Sequence, residues 1–230
     1  NSVATPTLTT ITSKGGQSGS AYVAIPDSAS SDALVPGMLL FHAFRGLTPE
    51  FIDFAETYAQ RGYIAATVDL YNGETTEDLG VASQLMGAMD EATCTDLVVS
   101  WADSLRTHDL CTGKIGTVGW CLGGTWSLNT SVVTPIDATV VYYGDVAKTA
   151  DELAPLNGPV LGHFGTTDEY FGKDMVDAFE REMAKAEKPF TNHWYEAGHA
   201  FANTGGPYFH EEPATLADDR TWDFLKHHLS

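Results

Sequence analysis

Apolar residues fall in two rhythms along this chain, and their alternation predicts a fold before any chemistry is considered. The continuous runs "GMLLFHAF", "GYIAATVDLY", "KIGTVGW", "DATVVYY" and "PVLGHFG" suit strands buried in a sheet, and "FTNHWYE" suits a last strand. Between them lie segments with helical spacing. Pro49 to Arg61 carries a proline in its first turn, "GGTWSLNTSVV" is helix-like, and "GKDMVDAFEREMAKAEK" and "PATLADDRTWDFLKHHL" set apolar stripes on a charged background. From Leu79 to Leu105, the positions Leu79, Ala82, Leu85, Met86, Met89, Leu97, Trp101 and Leu105 recur at steps near three and four. That spacing predicts one amphipathic face, broken near Ala92-Thr93. Ahead of these, "LTTITSK" and "GSAYVAIP" flank a Gly/Ser turn and predict an N-terminal hairpin. Strands alternating with helices predict an α/β protein with a doubly wound, mostly parallel sheet. No linker divides residues 1–230, so a single domain is expected, and no insertion is long enough for a cap domain.

Charge narrows the partners. The 12 Lys+Arg against 31 Asp+Glu give a formal net charge of −19, which argues against nucleic acid and anionic membrane surfaces. No apolar run approaches the ~18 residues of a membrane span. No basic segment followed by an apolar core marks a signal peptide, although a start at Asn1 rather than methionine leaves room for a removed leader. The three cysteines, Cys94, Cys111 and Cys121, are an odd number without metal-type spacing. Free thiols in a reducing, cytoplasmic setting are expected. No zinc-type, dinucleotide or P-loop signature occurs, so neither a metal nor a cofactor is expected. The expected state is a monomer or small homo-oligomer acting on a small molecule.

The candidate chemistry starts at "VGWCLGG", which has the shape of the G-x-S-x-G turn with Cys121 in place of serine. "KIGTVG" supplies a strand, Trp120-Cys121-Leu122 a sharp turn, and Gly123-Gly124 a helix start. A helix N-terminus offers unpaired N–H groups and a positive dipole end, surroundings that favour thiolates. A glycine-flanked cysteine is weak support alone, because buried inert cysteines are common. The turn makes a demand, however: an acid and then a histidine must follow on later loops. Asp168 follows the "VLGHFG" run, 47 residues downstream of Cys121, and His199 follows the last strand 31 residues further on. Both fall beyond strand ends, where open α/β sheets place their sites.

With those residues in place, the chain resembles the dienelactone hydrolase family, α/β-hydrolases with a cysteine nucleophile. The similarity rests on "GYIAATVDLY", "GTVGWCLGG", "VVYYGDV", "FGTTDEYF", "HWYEAGHAFANT" and "ADDRTWDFL", in family order from about Met38 onward. It implies Cys121 as nucleophile, His199 as base and Asp168 as the residue orienting that base. It also implies an oxyanion hole from the backbone N–H groups of Leu122 and Phe44. Three family side chains are missing: a loop glutamate matches Ala43, and two substrate-binding arginines match Gly73 and Asn203. The resemblance therefore carries the triad over but not dienelactone specificity.

Other residues have two readings each. Arg45 either replaces a lost positive charge or is a solvated loop arginine, and His42 either contacts substrate or is packed and hydrogen-bonded. Trp120, Tyr142 and Phe201 are pocket walls or core. His163 and His193 fall within strands, and Cys94 and Cys111 are expected to be inert. The expected activity is hydrolysis of small carboxylic esters or lactones through a thioester acyl-enzyme. The competing reading is a non-catalytic protein of the same fold that binds a ligand or senses oxidants through Cys121. A sensor has no use for Asp168, so the complete triad favours the enzyme.

Overall fold

A computed structural model describes residues 4–230. The chain divides into two compact units, residues 1–116 and 117–230. In the first unit, β1 (Thr7–Thr12) and β2 (Ser18–Ala24) form the expected antiparallel hairpin. Its turn is tied down by Asp96, whose carboxylate accepts from the Ser13 hydroxyl and from the Gly15 N–H at 3.0 Å. The buried strands β3 (Val35–Phe41) and β4 (Ile64–Val68) pair in parallel, and β4 pairs antiparallel with β2, giving the order β1-β2-β4-β3. Helix α1 (Pro49–Gln60) is the crossover between β3 and β4. It buries Phe51, Ala55, Tyr58 and Ala59, the stripe its sequence predicts.

The segment after β4 departs from expectation. Two helices form, α2 (Leu79–Gly87) and α3 (Glu91–Arg106), and the break falls at residues 88–90 rather than at Ala92-Thr93. Capping chemistry decides this. The Asp78 carboxylate accepts from the Val81 N–H at 2.8 Å, and that of Asp90 from the Thr93 N–H at 2.9 Å, so each aspartate starts its own helix. The two helices do not share one apolar face. Only Ala82 of α2 is buried, Leu79 and Met86 being 58% and 44% exposed, while α3 buries Cys94, Val98, Trp101, Ala102 and Leu105.

Strand β5 (Cys111–Trp120) runs across the division between the units. In the second unit the order is β5-β6-β7-β8, with β6 (Ala138–Tyr142), β7 (Val160–Gly165) and β8 (Phe190–Tyr195) paired in parallel. Helices α4 (Leu122–Val133), α6 (Lys173–Lys185) and α7 (Glu211–Leu229) occupy the expected segments, and a one-turn helix, α5 (Ala150–Leu153), joins them unforeseen. Its short sequence has no periodicity to read, but a capping box between Thr149 and Glu152 holds it.

Helix α7 is fastened to the strands by a buried polar chain. Arg220 donates to the Tyr195 hydroxyl (3.2 Å), which meets His163 Nδ1 (2.9 Å). His163 Nε2 meets the Thr221 hydroxyl (2.9 Å), which also meets the Tyr142 hydroxyl (2.8 Å), and Tyr142 donates to Asp218 (2.7 Å). Burial, together with the charges of His193 and Arg220, holds His163 well below the usual histidine range, so the ring is neutral and passes one proton along the chain. This explains the histidine in mid-strand: it is a satisfied core residue.

Candidate active site

Sterics dictate the turn at Cys121. The residue sits at φ 59°, ψ −117°, in the left-handed half of the map, a placement that costs about 1–3 kcal/mol and persists only where the surroundings enforce it. Two glycines make it possible. A β-carbon on Gly119 would lie 1.9 Å from the Gly123 carbonyl oxygen, and one on Gly124 would lie 2.7 Å from the Tyr142 oxygen. The Cys121 N–H donates to the Tyr142 carbonyl at 3.0 Å, and the Cys121 carbonyl accepts from the Thr125 N–H at 3.2 Å, starting α4. Leu122 opens that helix, so its N–H is one of those a helix leaves without an internal acceptor.

The three sequence-derived residues meet. Cys121 Sγ lies 3.1 Å from His199 Nε2, and His199 Nδ1 lies 2.8 Å from Asp168 Oδ2. The other carboxylate oxygen of Asp168 accepts from the Tyr170 and Phe171 N–H groups at 2.8 and 3.0 Å, so both its oxygens are occupied. Burial pushes the Asp168 carboxyl up, but the hydrogen bonds from His199, Phe171 and Tyr170 outweigh it and leave the acid below its ordinary value. For His199, burial favours the neutral ring, yet the bonds to Asp168 and Cys121 win and carry it up to about 9. An imidazolium therefore stands between sulfur and carboxylate at neutral pH, donating at Nδ1 to Asp168 and at Nε2 to Cys121. Cys94, by contrast, is pushed up to about 11 by burial and by the charge of Asp90.

Aromatic rings enclose the histidine. Tyr143, Tyr170 and Phe171 have ring centroids 5.1, 5.1 and 5.5 Å from that of His199. Tyr143 is buried, whereas Tyr170 is 76% exposed. None of the three was foreseen. The "VVYYG" run does signal that its two tyrosines face opposite sides of a strand, but not which side holds the histidine. Tyr142 is fully buried and bonded toward α7, and Trp120 stacks on it at 5.4 Å. Phe201 is fully buried between Tyr143 and Tyr195, and the Asn203 side-chain oxygen accepts from the Tyr143 hydroxyl.

The remaining candidates belong to the first unit. His42 is fully buried, its Nδ1–H donating to the Ala43 carbonyl at 2.8 Å and its Nε2 accepting the Leu70 N–H at 2.9 Å. Burial holds it below the usual range, so it is a neutral clamp between two backbone groups, with no ring nitrogen left for a ligand. Ala43 is buried, and Phe44 lies in the turn after β3. Arg45 pairs with Glu77 at 2.8 Å across an exposed surface, the solvated alternative. Gly73 takes φ 89° in a turn, where its N–H donates to Asp69 at 2.7 Å.

Comparison with known proteins gives the relatives of this chain. The model of the dienelactone hydrolase family matches residues 20–229. The carboxymethylenebutenolidase 1 of Cupriavidus pinatubonensis is 27% identical over 226 residues, covering 94% of each chain. The carboxymethylenebutenolidase of Pseudomonas putida is 29% identical over 231 residues, again covering 94% of each. The crystal structure of a candidate dienelactone hydrolase from Klebsiella pneumoniae subsp. pneumoniae superposes with a TM-score of 0.88 at 24% identity, over 98% of this chain and 99% of that one. A family match over nearly the whole chain, joined to the shared fold, settles the membership: this chain belongs to the dienelactone hydrolase family and is a hydrolase with the α/β-hydrolase fold.

Proposed function

We propose that this protein hydrolyses small carboxylic esters or lactones through Cys121, His199 and Asp168, by way of a thioester acyl-enzyme. The observation that carries the proposal is the hydrogen-bonded line from sulfur to imidazole to carboxylate, 3.1 and 2.8 Å long. The Cys121 sulfur attacks the ester carbonyl as a thiolate, and the oxyanion takes the Leu122 N–H as one donor. Collapse of the tetrahedral adduct breaks the C–O bond, and His199 gives its Nε2 proton to the leaving alkoxide. Once the sulfur is acylated, its negative charge is gone, and with it part of what held the imidazolium. His199 is then neutral and takes a proton from the water that attacks the thioester. Expulsion of the thiolate restores the starting pair. Asp168 stays ionised throughout and keeps the proton of the neutral ring on Nδ1, leaving Nε2 free to act as base.

The substrate class is a neutral or differently anchored ester rather than a dienelactone. Ala43 offers no acid. Gly73 has no side chain, and the Asn203 side-chain oxygen is taken by Tyr143. The family match running from 20 to 229 across the division of the units supports one working domain. Three cysteines, an odd number without metal-type spacing, suit a cytoplasmic, reducing setting. The test is p-nitrophenyl acetate hydrolysis, wild type against Cys121→Ala, followed from the first milliseconds. The proposal expects a burst and turnover that both vanish in the variant; turnover that survives would refute it. A strong preference for dienelactone over neutral short-chain esters would refute the substrate class alone.

A further inference from the structure

We propose that Tyr143 is a positioning residue for the catalytic base, holding the His199 loop in place by one ring contact and one hydrogen bond. This rests on the assignment of His199 made above.

Tyr143 follows the last residue of β6 at φ 36°, a strained backbone for an aromatic residue. Three neighbours enforce it. The Cys121 N–H holds the Tyr142 carbonyl at 3.0 Å, and the Tyr143 N–H donates to the His163 carbonyl at 2.8 Å. The following Gly144 is pressed so closely on α4 that a β-carbon there would lie 2.5 Å from the Thr125 nitrogen. The turn that presents the nucleophile thus also fixes how the Tyr143 ring leaves the strand.

That ring is where the histidine loop closes. His199 meets it at 5.1 Å and 66°, Phe201 meets it at 5.3 Å, and the hydroxyl donates to Asn203 Oδ1. Residues 199, 201 and 203 of one loop therefore all rest on a single side chain. The loop needs such support. Ala200 takes φ 65°, another strained position, and the Asn203 N–H closes a turn onto the Ala200 carbonyl at 3.2 Å. Asp168 and Cys121 hold the two ring nitrogens of His199, but neither bond fixes the backbone that carries the ring. The edge contact from Tyr143 adds to those of Tyr170 and Phe171, and the tether to Asn203 keeps the loop backbone from drawing the ring away from both bonds.

Replacing Tyr143 by phenylalanine separates the two contributions, because the ring stays and only the hydrogen bond goes. The expected result for Tyr143→Phe is a fall of about ten-fold in kcat for p-nitrophenyl acetate, with KM nearly unchanged, since misplacement of a catalytic group by a fraction of an ångström acts on the reacting geometry. Cys121 alkylation by iodoacetamide supplies a second readout that needs no turnover. Its inflection from His199, near pH 9 in the wild type, is expected to move down by about half a unit as the hydrogen bonds of the imidazolium to Asp168 and Cys121 loosen. Asn203→Ala reads the same tether from the loop side and serves if Tyr143→Phe does not fold. The double variant should lose no more than either single one. A merely structural tyrosine would lower the Tm and leave the alkylation profile where it was. That outcome, wild-type kcat in a folded Tyr143→Phe, or additive losses in the double variant would overturn the proposal. If Cys121→Ala retained turnover, the hydrolytic assignment would fail, and the alkylation profile of Tyr143→Phe would still decide this one.

Discussion

Replacing Asp168 by asparagine tests how the site divides its work. In the native arrangement one carboxylate oxygen accepts from two backbone N–H groups, and the other accepts from His199 Nδ1. An asparagine must keep its carbonyl oxygen toward the two backbone donors, because turning it would bring an NH2 group against both. Its NH2 then faces His199 and donates to Nδ1. Two losses follow, and their sizes differ. Part of the rise of His199 from 6.5 to about 9 belongs to Asp168. At 1.36 kcal/mol per unit the whole rise is worth about 3 kcal/mol. The second loss is the tautomer: with Nδ1 accepting, the neutral ring carries its proton on Nε2 and has no lone pair for the attacking water. In the serine-protease template, the corresponding change costs about 10⁴-fold in kcat, or about 5 kcal/mol. The tautomer therefore dominates, and deacylation should suffer more than acylation. Stopped-flow hydrolysis of p-nitrophenyl acetate by Asp168→Asn should show a retained burst followed by a steady state slowed by about 10³- to 10⁴-fold. A steady state within ten-fold of wild type would refute the role given to Asp168.

Other outcomes are equally specific. Gly119→Ala must open a 1.9 Å approach to at least 3.0 Å. It should cost about 10²-fold in kcat/KM through displacement of Cys121 and about 1–3 kcal/mol of stability by thermal denaturation. The control Gly172→Ala, with nothing within 4 Å, should leave kcat/KM unchanged. His199 holds its proton below about 9 and loses it as pH rises through that value, so kcat/KM for alkyl esters should fall above pH 9. Aryl esters, whose leaving groups need no proton, should not follow, and parallel profiles would remove His199 as the proton donor. Iodoacetamide at pH 7 should modify Cys121 far faster than Cys94, whose thiol is pushed up to about 11; equal rates by peptide mapping would show an unactivated nucleophile.

The order of Cys121, Asp168 and His199 was readable in the sequence because each demand is local. A strand, a glycine-permitted turn and a helix start lie within a few consecutive residues, and each partner follows a recognisable strand. The strands themselves were legible because a buried strand is a short apolar run wherever it pairs. The break falls at residues 88–90, ahead of Ala92-Thr93, because the aspartate caps decide the helix ends and apolar spacing does not. Which candidates surround the histidine was not legible at all. Tyr142 and Tyr143 are adjacent and chemically identical, and only the pairing of β6 with its neighbours turns one toward α7 and the other toward His199. Asn203 could be placed near the site by its closeness to His199, but its partner lies 60 residues away in sequence. The strained backbones at Tyr143 and Ala200 leave no compositional mark, since neither is a glycine. The sequence alone determined the strands, the turn and the order of Cys121, Asp168 and His199 on their loops, each of which depends on neighbours along the chain. The meeting of those three residues, the enclosure of His199 with its proton held up to about 9, and the tyrosine on which its loop rests came only from tertiary structure, because distance, burial and ring orientation arise between residues that the chain itself keeps far apart.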